Sequence, residues 1–396
     1  MKKRMMLCAA LLICLAATAL AGGAQEKETP EYFKKPAGES VLDTYIYGEN
    51  MPGVYTYGGS KRDWIHDMTV APDGRIAITG YTESSDGTLS DRTKTWRAGW
   101  VMMLDQEMNV KWNFCSRSGD ADHMRYPVFR GNGQLTAVHH TEGKQIKIVW
   151  IDEDGEEVSS NTVMTVKTED ETISVVGAMA DGYLMCRAED YRSTRTFTLF
   201  DWLGGRLWTL AGVDSVQAVS GKHLLCETEE GLFLSEVDSG GLLTTLCAVA
   251  KPEGGNVKRQ YESLTSLDDG GAVACGSIWE GTSSAHAQGL ISRWDAKGNL
   301  VFEMIVTLGN LKDIVKTDRG FAATCAYQEN LEGRIDWQLL EFDEQGILCG
   351  RRPLYNSEPT TAVGLIARAT DGKLVCAQAV GAYGLEDVIV SVIKAE

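Results

Sequence analysis

The sequence predicts an all-β protein: a seven-bladed β-propeller, its ring closed by an N-terminal strand that completes the last blade. Three observations carry this reading. A turn glycine ahead of a short apolar strand recurs seven times, an aspartate ending a later strand recurs six times, and the final repeat lacks one strand while a surplus strand precedes the first.

The chain has 396 residues. Lys2, Lys3 and Arg4 precede an apolar run, Met5 to Leu15, and Ala19-Leu20-Ala21 fits the small-x-small rule for signal peptidase, so residues 1–21 are expected to be a signal peptide. The alternative is a lipid anchor at Cys14 in Leu11-Leu12-Ile13-Cys14, although Ile13 stands where a small residue is wanted. Residues 22–40 are polar and mixed in charge and read as a flexible spacer, leaving 41–396 as a single propeller domain. No other segment is long and apolar enough to span a bilayer. A secreted, extracellular monomer is expected. The formal net charge is −17, and loss of the three leading basic residues makes the chain more acidic still. Such a surface repels phosphate backbones, so nucleic acid is not an expected partner.

The turn glycines are Gly74, Gly133, Gly182, Gly221, Gly271, Gly320 and Gly372, spaced 39 to 59 residues apart. Each follows one strand ("WIHDMTV" ahead of Gly74) and opens another ("RIAITG"). The second marker is an aspartate ending a third strand: Asp105, Asp152, Asp201, Asp238, Asp295 and Asp343. Five of the six continue as Asp-x-x-Gly, and Asp105 is the exception. Asp opening and Gly closing a four-residue turn suit a tight hairpin, because the carboxylate can bond the turn amides and glycine can adopt positive φ. A fourth strand follows, as in "NVKWNF" and "GNLVFEM". The strands are rich in Val, Ile, Leu and Thr, and nothing reads as a long amphipathic helix. The last repeat stops after "DVIVSVI", and "GVYTYGG", Gly53 to Gly59, is the strand expected to complete it. The competing candidate is "LDTYIYGE" upstream. Closure removes open sheet edges.

The stretch "GVYTYGGSKRDWIHDMTVAPDGRIAITGYTESSDGTLS…WVMMLDQEMNVKW" resembles the repeat of secreted bacterial β-propeller proteins. The first repeat matches closely, "DDGGAVACGS…LISRWDAKGNLVFEM" matches well, and the fourth is the shortest and least regular. The resemblance implies an extracellular binding or scaffold role and brings no catalytic motif.

Catalytic and metal signatures are sparse. There is no Cys-x-x-Cys, no His-Glu-x-x-His and no Gly-x-Ser-x-Gly, and neither a metal nor a cofactor is implied. His139 and His140 are adjacent in a strand and face opposite ways, which disfavours a shared ion. "DEDGEE", Asp152 to Glu157, reads as a turn, since it lacks the length and distal Glu of a calcium loop.

The loops between second and third strands are the long ones: Tyr81 to Gly99, Ser277 to Gly289 and Ala326 to Asp336. They share a face with the connections between blades, and that face is the expected binding surface. The candidate ligand-binding residues are Trp64, His66, Trp96, Arg97, His123 and Arg125, with Trp279, His286 and Arg334. Aromatics with Arg anchor peptides, proteins or glycans. The competing reading wedges the Trp residues between blades and leaves the Arg residues solvated. Two functions remain open: a recognition or scaffold module, and a secreted glycosidase- or lyase-like enzyme using the same face.

Cysteine recurs four or five residues after the turn glycine, at Cys186, Cys226, Cys275, Cys325 and Cys376. That places it inside the second strand, too far from its neighbours for a disulfide. Cys115, Cys247 and Cys349 fall on fourth strands. All eight are expected to be free thiols acting as small apolar residues.

Overall fold

The computed structural model describes residues 53–393 apart from 90–96, 117–120, 132, 142–143, 190–194, 252–255, 283–286, 307–308, 329–334, 355–362 and 381–385. The expected signal peptide, spacer, Cys14 and "LDTYIYGE", along with Trp96, His286 and Arg334, lie outside the described residues.

Seven four-stranded antiparallel sheets form a ring. β1 (Val54–Tyr57) comes first in the chain and belongs to the last blade. Blade 1 is β2 (Asp63–Val70), β3 (Ile76–Thr82), β4 (Ala98–Leu104) and β5 (Val110–Cys115); blade 2 is β6 (Asp122–Phe129), β7 (Leu135–Thr141), β8 (Gln145–Ile151) and β9 (Glu157–Thr165). Blade 3 is β10 (Thr172–Ala178), β11 (Gly182–Ala188), β12 (Thr196–Asp201) and β13 (Arg206–Leu210); blade 4 is β14 (Ser215–Ser220), β15 (His223–Thr228), β16 (Gly231–Val237) and β17 (Leu243–Ala248). Blade 5 is β18 (Val257–Ser266), β19 (Ala272–Glu280), β20 (Gln288–Trp294) and β21 (Leu300–Val306); blade 6 is β22 (Asn310–Lys316), β23 (Gly320–Gln328), β24 (Ile335–Asp343) and β25 (Leu348–Pro353). Blade 7 is β26 (Val363–Arg368), β27 (Leu374–Val380) and β28 (Asp387–Ile393), completed by β1, which pairs with β28 from Val54↔Ser391 to Tyr57↔Val388. The expected closing strand is therefore the one used, and the irregular fourth repeat is a full blade. The only helical element among the described residues is a 3-10 turn, Gly87–Leu89, and no helix there is long and apolar enough to cross a membrane.

The second strands are the most buried. β3 and β27 are buried at every position, and Cys186, Cys226, Cys275, Cys325 and Cys376 sit buried on second strands. None of the eight described cysteines is in a disulfide. Burial pushes the thiols of Cys275, Cys325 and Cys376 up, to about 12 for Cys325, so these are inert packing groups.

The six aspartate turns share one geometry. In each, the Asp Oδ1 accepts the amides two and four residues on, at 2.8 to 3.0 Å. The residue at the third position after Asp is left-handed: Gly155, Gly204, Gly241, Gly298 and Gly346 have φ between 79° and 90°. Asp105 makes the same turn without a glycine, because Met108 takes φ 68° and is buried.

These turns lock blade to blade. The outer strand of one blade lays a side chain against the turn glycine of the next. A Cβ at Gly155, Gly241 or Gly346 would fall 2.7, 2.4 or 2.6 Å from the ring of Trp112, Trp208 or Phe302. The Val163 side chain covers Gly204, and at Gly298 the Leu246 backbone carbonyl takes that place. At the closure, Tyr57 on β1 donates its hydroxyl to the Met108 carbonyl at 2.6 Å, so the borrowed strand continues the series.

An inner ring of contacts complements this outer one. Six of the seven inner strands carry a register shift midway: after Ile65, Arg125, Val175, Val216, Tyr261 and Leu311. The bulged region satisfies its backbone across blades. Asp67 accepts the Tyr126 amide at 3.2 Å, Gln217 accepts that of Tyr261 at 2.9 Å, and Asp313 accepts that of Ile366 at 2.9 Å. The turn glycines are less uniform than the sequence suggests. Gly182 and Gly271 are not left-handed; each instead lies where a Cβ would strike the backbone of the third strand, and Gly270 supplies the left-handed residue of its turn.

Gly212 and Gly241 are both left-handed, but a Cβ at Gly212 meets nothing within 4 Å. Gly212→Ala should cost about 1 kcal/mol from backbone conformation alone, and Gly241→Ala at least twice that through displacement of Trp208. Chemical unfolding of both variants checks this, and equal losses would contradict the inter-blade lock. Denatured without reductant, the protein should take up alkylating agent at every one of the eight described cysteines; a shortfall in mass would reveal a disulfide.

Candidate functional site

The candidate site lies where the inner strands of blades 1 and 2 begin, on the long-loop face. Two buried aspartates build its floor. Asp63 opens β2 and accepts the Ser84 hydroxyl at 2.9 Å and the Gly59 amide at 2.8 Å, and the Thr82 hydroxyl at 2.5 Å. Asp122 opens β6 and accepts the Ser116 hydroxyl at 2.7 Å and that of Thr141 at 3.0 Å, with His139 Nε2 at 3.2 Å. Each thereby ties the start of a first strand to the end of a second. The paired glycines of "YGG" fit this floor: a Cβ at Gly58 would fall 2.5 Å from Asp387 and 2.8 Å from Asp63. Burial raises the Asp387 carboxyl to about 6, and the nearby Asp63 adds to the effect.

Above the floor, cross-strand pairing sets the side chains. Trp64 on β2 faces Tyr81 on β3, and His123 on β6 faces His140 on β7. His66 is the bulged residue of β2. A bulge re-aims a side chain, and His66 Nε2 lies 2.8 Å from His123 Nδ1 on the next blade. The Tyr81 ring meets His123 edge-on, 5.1 Å between centroids. The Arg62 guanidinium lies 4.9 Å from the Trp64 ring centroid and 5.6 Å from that of Tyr81, and Arg97 lies 4.4 Å over Tyr81. Arg62 is paired with the buried Glu386 at 3.2 Å and Arg97 with Glu83 at 3.6 Å.

Burial acts on the imidazoles first, and nearby arginines add to it. Burial, then Arg125 and the neighbouring His123 and Arg97, pull His66 down to about 2; burial, then Arg125 and Arg97, pull His123 down to about 4. Both imidazoles are neutral at physiological pH, so in their hydrogen bond one donates and the other accepts. Burial raises Asp67, below them, to about 7, against the opposing pull of Arg125 and the Tyr126 amide, and raises Asp313 to about 6.

Five candidates from the sequence, Trp64, His66, Arg97, His123 and Arg125, thus belong to one cluster. Trp279 does not: it is on β19 in blade 5, paired in register with Lys258. Three contributors escaped the sequence reading. Arg62 and Tyr81 flank the chosen residues, and His140 was set aside with His139. His139 turns inward to Asp122, whereas His140 remains near His123, 6.5 Å between ring centroids. The alternation along β7 was the available signal for that split. On the same face, blade 4 carries a depression of about 600 Å³ lined by Asp214, Glu229, Glu230 and Phe233, acidic where blades 1 and 2 are basic. Among the described residues no group of three or more His, Cys, Asp or Glu is placed to hold a metal.

No protein-family model matches the sequence, and no curated protein matches it. Solved structures similar to this chain include three propeller-sized matches. The β-propeller domain of the trilobed protease from Pyrococcus furiosus is 13% identical, over 84% of this chain and 94% of that one, with a TM-score of 0.48. The C-terminal WD40 domain of Sif2 is 11% identical over 85% and 98%, with a TM-score of 0.46. A protein of unknown function from Bacteroides caccae is 12% identical over 77% and 94%, with a TM-score of 0.36.

The perturbed groups make stability depend on pH in opposite directions. Asp67 titrates near 7 in the folded chain against 3.8 ordinarily. Its contribution is therefore present at low pH and lost as pH rises through about 7. His66 and His123 act the other way: their contribution is present above about 6.5 and lost as pH falls. Asp67→Asn removes only the first effect. Its stability relative to the wild type should climb from pH 4 to 7 and then level off, as read by thermal midpoints across buffers; a constant offset would show that Asp67 is not buried as described.

Proposed function

We propose that this protein is a secreted or cell-surface recognition propeller that binds an extracellular ligand on its long-loop face, at the seam of blades 1 and 2. The observation that carries the reading is the cluster of Arg62, Trp64, Tyr81, Arg97, His66 and His123, with guanidinium groups on aromatic rings and two neutral imidazoles in contact. Half-buried Trp and Arg side chains such as Trp64, Arg62 and Arg97 are the residues that dominate binding energy when desolvated. The leader-like N-terminus and the resemblance to secreted bacterial propellers support the extracellular setting.

Binding without turnover is the favoured form. The buried carboxylates near the cluster are engaged with the protein itself: Asp63 and Asp122 with hydroxyls, and Asp67 with a backbone amide. Asp63 does lie beside Asp387, but its oxygens are taken by the Ser84 and Thr82 hydroxyls and the Gly59 amide.

A glycan and peptide array, followed by mass analysis of the bound ligand, tests this. Trp64→Ala and Arg97→Ala should each weaken binding by roughly tenfold, Trp279→Ala should leave it unchanged, and the ligand should be recovered intact. Release of a cleaved product, or binding indifferent to Trp64 and Arg97, would overturn the reading.

A further inference from the structure

We propose that the seam of blades 1 and 2 is a subsite for the carboxylate of a uronic acid residue within an otherwise neutral oligosaccharide, with Arg125 as its anchor. This rests on the recognition role above and narrows it to one ligand chemistry.

The charges of the cluster are unevenly matched. Arg62 has Glu386 and Arg97 has Glu83. Arg125 lies on β6 two residues after His123, so the two part-buried side chains share one face of the strand, and among the described residues no carboxylate lies within ion-pair distance of Arg125. The acid within its field, Asp67, is bound to the Tyr126 amide. Its other neighbours, the Tyr126 phenol and the His66 and His123 imidazoles, stay neutral and so supply no countercharge, though the imidazoles do supply N–H donors. A half-buried guanidinium without a paired anion is costly. A planar carboxylate meets its fork in two parallel hydrogen bonds, with imidazole N–H groups beside it.

Two further observations select a sugar as the carrier. Trp64, near the start of β2 on the neighbouring blade, is half-buried and offers the part of its indole not covered by Arg62 to the C–H surface of a pyranose. The chain carries a net charge of −17, which repels an acid-dense polymer or an acid-rich peptide at long range. One carboxylate in a neutral saccharide can reach Arg125 with far less of that opposition.

Calorimetry or ligand-observed NMR with a glucuronic acid disaccharide, its methyl ester, the matching glucose disaccharide and an N-acetylated dipeptide with a free carboxylate tests the assignment. The acidic disaccharide should bind roughly tenfold or more tightly than its ester. Arg125→Gln should abolish that preference, and Arg125→Lys, which keeps the charge and loses the fork, should retain part of it. Equal binding of acid and ester, a preference that survives in Arg125→Gln, or binding of the dipeptide alone would overturn the proposal. If these sugars fail while another array ligand binds in a Trp64-dependent way, the carboxylate assignment falls and the recognition role stands.

Discussion

The contact on which the ring depends is an outer-strand side chain resting on the left-handed residue of the next blade's turn. The aspartate fixes the turn by accepting two amides, and the turn leaves a residue with no room for a Cβ. That bare backbone is the flat surface on which Trp112, Trp208 and Phe302 lie. A blade sheet cannot bury both faces alone, so each repeat is stable only when its neighbours are in place. Putting the contact on a hairpin turn fixes the rotation between sheets as well as their spacing. Where glycine is missing, at Met108, the neighbour comes as a hydroxyl rather than a ring face, and Tyr57 donates to the carbonyl.

The cluster on the long-loop face follows from departures within this regular frame. A bulge in β2 frees His66 from its register and brings it to His123 on the next blade. Six inner strands have the same bulge, so it belongs to the architecture, and blades 1 and 2 are distinguished by what they place there. Gln217 at the bulge in blade 4 accepts a neighbouring amide, and Glu262 in blade 5 pairs with Lys312 in blade 6 at 3.3 Å. Those bulges consolidate the inner ring. The blade 1 bulge instead presents a neutral imidazole beside arginine and tryptophan.

Much of the frame was legible because its signals are local. Asp-x-x-Gly reports its own turn, and cysteines four or five residues after the turn glycine report a strand buried on both faces. The strand Gly53 to Gly59 was identifiable from the deficit at the other end of the chain. The inner bulges were not legible. A single extra residue reverses the alternation within a strand, and nothing in "WIHDMTV" marks where the reversal falls. Asp67 and Asp313 therefore read as ordinary strand polar residues, although each closes a gap between blades. Arg62, Tyr81 and His140 were hidden for a related reason: their roles arise from cross-strand and cross-blade pairing, which spacing along the chain does not encode.

The β1–β28 pairing also gives the molecule a direction. Val54 is opposite Ser391, so the first and last described strands start and finish at the same end of blade 7. That end is the face of the short aspartate turns, across the thickness of the disc from Arg97, His66 and Trp64. Val54 and Ile393, at the two described ends of the ring, therefore both lie on the aspartate-turn side, and the arginine and imidazole cluster occupies the opposite one.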